Sequence, residues 1–147
     1  HGRVHFISNF CKLNEWIKWS PYPIPKIEDM LHKLEGFMYI TSLDLNTGYY
    51  LIKLNPDAQK YCTIITQWGC LSYLRMPMGI SSSADIFQER MTELMQGLEF
   101  LRCYIDDVLL ISKTTFLDHL LKMDKALPRL QQAGLKVDAK KIFLCKR

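Results

Sequence analysis

The alternation of apolar and polar positions divides the chain into elements. "VHFISNF" (residues 4–10) reads as a short strand. "SPYPIPKIEDMLHKL" begins extended, because its prolines fix φ and restrict their neighbours. After Pro25 the apolar positions Ile27, Met30, Leu31 and Leu34 have helical spacing, with Gly36 as the stop. "FMYITSLDLN" is β-rich, and "KYCTIITQWGCLSYLRM" predicts two strands joined around Trp68-Gly69. "SSSADIFQERMTELMQGL" predicts a helix with Ile86/Phe87, Met91, Leu94/Met95 and Leu98 as its stripe. "LRCYI" and "VLLIS" are two strands around Asp106-Asp107. "TFLDHLLKMDKALPRLQQAG" places Leu117, Leu120, Leu121, Asp124, Leu127 and Leu130 at helical steps, with Pro128 set to kink or break the helix. The order is strand, helix, strand, hairpin, helix, β-hairpin, helix, strand. That predicts an α+β fold compatible with a split βαβ arrangement.

Composition narrows the class. The 147 residues suffice for one domain with a core, and 48% apolar against 23% charged residues marks a globular chain. The net charge of +4 is compatible with nucleic acid, and "KVDAKKIFLCKR" is the densest basic stretch. Five cysteines without a CxxC pair point to reduced thiols in an intracellular protein, not a disulfide or zinc framework. No apolar run approaches the ~18 residues of a membrane span, and no signal peptide is visible. The chain starts without Met and stops inside a basic run, so the expectation is a piece of a longer polyprotein.

The feature that composition does not explain is "CYIDDVLLIS", residues 103–112, with two adjacent carboxylates in an apolar run. Two like charges at ~5 Å repel by roughly 3 kcal/mol at an effective dielectric of ~20. A two-residue hairpin tip at Asp106-Asp107 would expose both acids; a bland turn is the competing reading. Asp44, in "YITSLDLNTGYY", also ends an apolar strand just before a glycine turn. If those strands are neighbours, three carboxylates converge. Such hard oxygen ligands suit Mg²⁺, and two such ions serve in-line phosphoryl displacement.

"PYPIPKIEDMLHKLEG", "TSLDLNTGYYLIKL", "LRMPMGISSSADIFQERM" and "YIDDVLLIS" follow one another with fitting gaps. Together they resemble the reverse transcriptase of gypsy-type LTR retrotransposons over nearly the whole chain. The resemblance implies a polymerase palm, a ferredoxin-like (split βαβ) sheet with helices on one face, plus partial fingers. It makes residues 1–147 a single fingers–palm fragment without thumb, connection and ribonuclease H regions. It implies an RNA-directed DNA polymerase that transfers nucleotides to a primer 3′-hydroxyl with two Mg²⁺ ions, Mn²⁺ being a substitute. Asp44, Asp106 and Asp107 match the metal-binding acids. Lys141 aligns with a lysine proposed to protonate the leaving pyrophosphate. Tyr49 falls at the aromatic that excludes a 2′-hydroxyl, and Met78-Gly79 at the loop that packs against the incoming nucleotide. Gln88 and Tyr104 fall at template–primer positions, and Phe87 reads as core. The implied partners are an RNA or DNA template–primer, dNTPs and the remaining polyprotein domains (thumb, ribonuclease H, protease, integrase), with no membrane. The implied location is the cytoplasm, within virus-like particles.

The residues also depart from that pattern. His5 stands at a triphosphate-contacting position where an Arg is usual, and an imidazole lacks the guanidinium's charge and bidentate fork. Asn9 and Cys11 replace an Asp and an Arg that would form an ion pair in the fingers. Trp16 and Trp19 stand where basic residues are common, and Ser83-Ala84 lacks a usual proline. Several of these changes are reachable by one C-to-T or G-to-A transition, the mark of a silenced copy. The alternative reading is therefore a catalytically dead remnant that at most binds nucleic acid.

Overall fold

The computed structural model describes residues 8–18, 21–23, 36–46 and 48–146. The helix expected after Pro25 and most of the strand expected at 4–10 lie outside these residues. Ser8, Asn9 and Phe10 are not in a strand; they lead into helix α1 (Cys11–Trp16).

Strand β1 (Tyr39–Asn46) is the axis of the molecule. Its odd positions Tyr39, Thr41, Leu43 and Leu45 are buried and its even positions are half-open. The strand period of two thus sends Asp44 to the open face. Strand β5 (Asp107–Ser112) runs antiparallel beside it, from Tyr39 opposite Ser112 to Asp44 opposite Asp107. Strand β4 (Leu101–Tyr104) pairs with β5 on its far side. On the other edge of β1 lie β6 (Lys136–Val137) and β7 (Phe143–Lys146), one near each end. The result is an antiparallel sheet in the order β4-β5-β1-β6, with β7 also on β1.

Helix α3 (Ser83–Leu94) and helix α4 (Phe116–Gln132) cover one face of this sheet. Between β1 and α3 in the chain comes α2 (Pro56–Tyr61), whose first turn is capped by Asn55 Oδ1 accepting from Ala58 N–H at 2.7 Å. A small two-stranded hairpin follows, β2 (Thr63–Thr66) with β3 (Gly69–Ser72). The core packs Leu43, Leu45, Val108, Leu110, Leu101 and Cys103 from the sheet against Phe87, Met91, Ala126 and Leu130 from the helices. This is the α+β fold that the pattern predicted, with helices on one face of the sheet as the resemblance implied.

Two expectations about α4 are corrected. The leucine stripe is not its buried face: Leu117, Leu120, Leu121 and Leu127 are 40–65% exposed, while His119, Ala126 and Leu130 are buried. The sheet beneath offers two hydroxyls, Thr41 and Ser112, and His119 bonds both, so the helix turns its histidine inward. Nor does Pro128 break the helix; it is exposed, and the lost hydrogen bond falls where water can replace it. The helix stops at Gly134 (φ +75°), where Gly134 N–H bonds Gln131 O and Leu135 N–H bonds Leu130 O. That pair of bonds is a Schellman closure, which needs a left-handed residue.

Candidate active site

The open face of the sheet carries one cross-strand row. Asp44 on β1 is opposite Asp107 on β5, and Asp107 is opposite Tyr104 on β4. Directly paired residues share a face, so these three side chains stand side by side. Asp106 occupies the β4–β5 turn, and its carbonyl accepts from Leu45 N–H at 2.8 Å. The turn is therefore tied to β1 by its backbone as well as by the strand pairing. Sequence patterning placed the tip at Asp106-Asp107; it lies one residue earlier, at Ile105-Asp106, and Asp107 already belongs to β5.

Ile105 has φ +53°, a position that favours glycine and costs a β-branched residue about 1–3 kcal/mol. What holds it there is Gln88 on α3. The Gln88 side-chain amide donates to Cys103 O at 3.1 Å, and its carbonyl accepts from Ile105 N–H at 2.8 Å. Only one orientation of the carboxamide satisfies both partners, since a carbonyl cannot donate and an N–H cannot accept. Gln88 is 2% exposed. Both ends of the Gln88 amide are thereby engaged inside the protein.

The electrostatics mark the same spot. Burial, then Asp44, then Asp107 raise the Asp106 carboxyl above the ordinary range, and Lys141 only partly offsets them. Burial above all, with the two acids after it, pushes the nearby Cys103 thiol up to about 12, so it stays protonated and inert. Asp106 Oδ1 is buried without a hydrogen-bond partner. A buried carboxylate oxygen without a partner is costly unless something else supplies one. Gly48, buried in a 3₁₀ turn (Gly48–Leu51), lies against this acid. A Cβ there would lie 2.5 Å from the Phe87 ring and 3.1 Å from Asp106 Oδ1. The backbone must come this close for Phe87 to pack beneath the acid.

These acids suit a hard divalent cation by donor type, by mutual repulsion and by the unmatched Oδ1 of Asp106. Asp44, however, is held by a cation of the chain itself: Lys141 Nζ lies 3.0 Å from Asp44 Oδ2. Asp138 N–H bonds Asp44 O and Lys141 N–H bonds Asp138 O, a turn that delivers Lys141 to the site. Among the described residues no three acidic, cysteine or histidine side chains close around a single metal position. Binding of a metal by all three acids would thus displace the Lys141 contact.

The family described as reverse transcriptase (RNA-dependent DNA polymerase) matches residues 4–147. The chain belongs to the reverse transcriptase family. It is 30% identical over 148 residues to the retrovirus-related Pol polyprotein from transposon 297 of Drosophila melanogaster, covering 99% of this chain and 14% of that protein. It is 30% identical over 142 residues to the transposon Tf2-3 polyprotein of Schizosaccharomyces pombe, covering 95% of this chain and 11% of that one. The chain spans between 11% and 22% of the length of the curated relatives it matches. Among solved structures it is similar in fold to prototype foamy virus protease-reverse transcriptase, with a TM-score of 0.83 and 24% identity over 92% of this chain and 18% of that one. The foamy viral enzyme in complex with an RNA/DNA hybrid gives a TM-score of 0.80 at 22% identity, over 92% of this chain and 18% of that one.

Of the other residues that the resemblance singled out, Tyr49 lies close enough to the acids to feel the Asp106 charge. Tyr49 packs on Phe87 with ring centroids 5.3 Å apart, and burial followed by the Asp106 charge raises its hydroxyl's pKa. Gly79 (φ +97°) and Met78 lie on a loop that Asn14 of α1 clamps: Asn14 Nδ2 donates to Gly79 O at 2.8 Å, and its Oδ1 accepts from Ser81 N–H at 3.0 Å. His5 lies outside the described residues. Sequence reasoning missed Asn14, Gly48 and the hydrogen bonds of Gln88 to the Ile105 turn. The signal in each case is tertiary, a carboxamide or a missing Cβ facing a distant backbone.

Proposed function

We propose that this chain is the fingers–palm portion of a retrotransposon RNA-directed DNA polymerase of the gypsy type, translated as part of a longer polyprotein. The supporting observation is the row Asp44–Asp107–Tyr104 beside the unpartnered Asp106 Oδ1, in a chain that matches the family from residue 4 to 147. Its substrates on this reading are a primer–template and dNTPs, and its setting the cytoplasm and virus-like particles. Asp44, Asp106 and Asp107 would hold Mg²⁺. When bound, such ions neutralise phosphate charge and activate a hydroxyl nucleophile.

The chain's own residues supply positioning and electrostatics. Tyr49, which packs on Phe87, would limit space beside a sugar 2′ position, and that ring contact supports the reading. Gly79 lets backbone approach a nucleotide or template base without a Cβ in the way. Lys141, whose pKa its Asp44 hydrogen bond raises, stays protonated and available as a proton donor. Primer extension by the polyprotein-length enzyme tests the reading. Mg²⁺-dependent, template-directed extension is expected, and Asp106→Asn should cut it by about 10³-fold; extension at the wild-type rate in Asp106→Asn would sink the assignment.

One observation favours the remnant reading. Where the family places an ion pair in the fingers, Asn9 Oδ1 here only accepts from Cys11 N–H at 2.9 Å, and Cys11 is exposed. If the full-length protein is inactive but His5→Arg with Asn9→Asp and Cys11→Arg restores extension, the copy is degenerate and the palm sound. Salt-sensitive nucleic-acid binding that needs no Mg²⁺ would be the remnant's residual property.

A further inference from the structure

We infer that Gln88 is a positioning residue for the catalytic carboxylates: its carboxamide locks the left-handed Ile105 turn and so sets where Asp106 and Asp107 point. This rests on the polymerase reading above. Three independent features meet at the turn. Ile105, a β-branched residue, is held at φ +53°, and Asp106 follows it directly. The last residues of β4 and the turn have two backbone groups, Cys103 O and Ile105 N–H, that β5 does not serve, and Gln88 serves both. Gln88 is itself buried, one residue beyond Phe87, whose ring lies under Gly48 and beside Asp106. Helix α3 therefore presents two consecutive side chains to the acid turn. Phe87 supports it by contact, and Gln88 fixes its backbone by hydrogen bonds.

The chemistry requires a carboxamide of this length. Glutamate could accept from Ile105 N–H but could not donate to Cys103 O, and it would bury a fourth negative charge near three others. Methionine matches the shape and serves neither group. Without the clamp, Ile105 is free to leave the left-handed region, and Asp106 swings with it. Glycine at 105 holds positive φ without help. That predicts a specific rescue, because Ile105→Gly should replace the function of Gln88 where mere repacking of α3 would not.

The experiment compares wild type, Gln88→Met, Ile105→Gly and the double variant in the polyprotein-length enzyme. Amide exchange of Ile105 and steady-state extension are both followed. Gln88→Met should lower kcat by roughly 10- to 100-fold with little change in nucleotide KM, and expose the Ile105 amide to exchange. Ile105→Gly in that background should recover most of the loss. Unchanged Ile105 exchange in Gln88→Met overturns the proposal, as does a loss of kcat that Ile105→Gly leaves in place. If the parent shows no extension even with His5→Arg, Asn9→Asp and Cys11→Arg in place, the polymerase reading fails, and the Ile105 amide still decides whether Gln88 holds the turn.

Discussion

The strand pair β1–β5 carries a polar cluster at each end, and the two are built on opposite terms. At the Thr41–Ser112 end, His119 Nε2 and Thr41 Oγ1 are 2.8 Å apart, and Nδ1 and Ser112 Oγ 2.7 Å. Cys145 N–H donates to the same Thr41 hydroxyl at 3.1 Å, so one oxygen joins α4, β1 and β7. His119, Thr41 and Ser112 are all fully buried and bonded. At the other end, three residues along β1, Asp44, Asp106 and Asp107 crowd together and one oxygen has no partner. The first cluster is satisfied within the chain and can only hold the fold together. The second is satisfied only if something outside the chain arrives. Polar groups that a protein buries without matching them mark a site, because their cost persists until a ligand offsets it.

The largest effect should come from removing the unmatched charge. Asp106→Asn should cut extension by about 10³-fold, the scale of losing a strong electrostatic group from a reacting centre. It should not lower the urea midpoint, because the amide relieves repulsion from Asp44 and Asp107. A variant that loses activity only by unfolding would erase the contrast between the two ends. Gly48→Ala comes next. Its Cβ meets the Phe87 ring at 2.5 Å, and rings buried in a core do not yield freely. A loss of about 1–3 kcal/mol is expected, with extension falling along with it. Urea titration of the variant decides this, and an unchanged midpoint would show that Phe87 can move aside.

How much of this was legible in the sequence differs between the two ends. The β-rich run "FMYITSLDLN" put Asp44 at the end of an apolar strand, and two apolar runs around "DD" gave the hairpin. Those signals are local, so they survive without tertiary knowledge. The register of Asp44 with Asp107 is a pairing of residues far apart in the chain, which the motif resemblance supplied and periodicity could not. The Thr41–His119–Ser112 cluster was illegible. A histidine beside four leucines is outvoted in any helical count, yet two hydroxyls on the sheet reversed the helix face. The Gln88 hydrogen bonds were illegible for the same reason, since its partners are backbone groups in another element. The tip at Asp106-Asp107 was misplaced by one because Ile105 violates the preference for glycine at positive φ.

The two ends should also answer pH with opposite signs. Burial foremost, then the Lys122 charge, lower the His119 pKa, with Asp118 partly opposing. The unfolded chain thus binds more protons than the folded one below about pH 6.5. Stability from this group is full above that pH and declines as pH falls toward the depressed folded value. The raised Asp106 pKa acts the other way: its contribution is full below the ordinary carboxylate value and declines as pH rises through the raised one. His119→Gln should remove the decline below about pH 6.5 while costing about 1–3 kcal/mol at pH 7. Asp106→Asn should remove the other. Chemical denaturation across pH 3–8 reads both slopes, and parallel curves for wild type and His119→Gln would contradict the histidine assignment.

The smallest effect sharpens the comparison most, because it concerns the only cation the chain supplies to the open site among the described residues. Lys141 is exposed, and its bond to Asp44 Oδ2 is an exposed ion pair. Such pairs add little to folding, so Lys141→Ala should leave the melting temperature unchanged. The same lysine nonetheless occupies an oxygen that a metal would need. Removing it should tighten Mg²⁺ or Mn²⁺ binding about two- to fivefold, measured by calorimetric titration. If Lys141 also donates a proton to the leaving group, kcat falls in the variant whose metal binding improves. The two readouts then move in opposite directions, which neither a stability defect nor a lost ligand would produce. Metal affinity that stays constant would mean that Asp44 is not among the ligands, and would leave Asp106 and Asp107 to hold the cation by themselves.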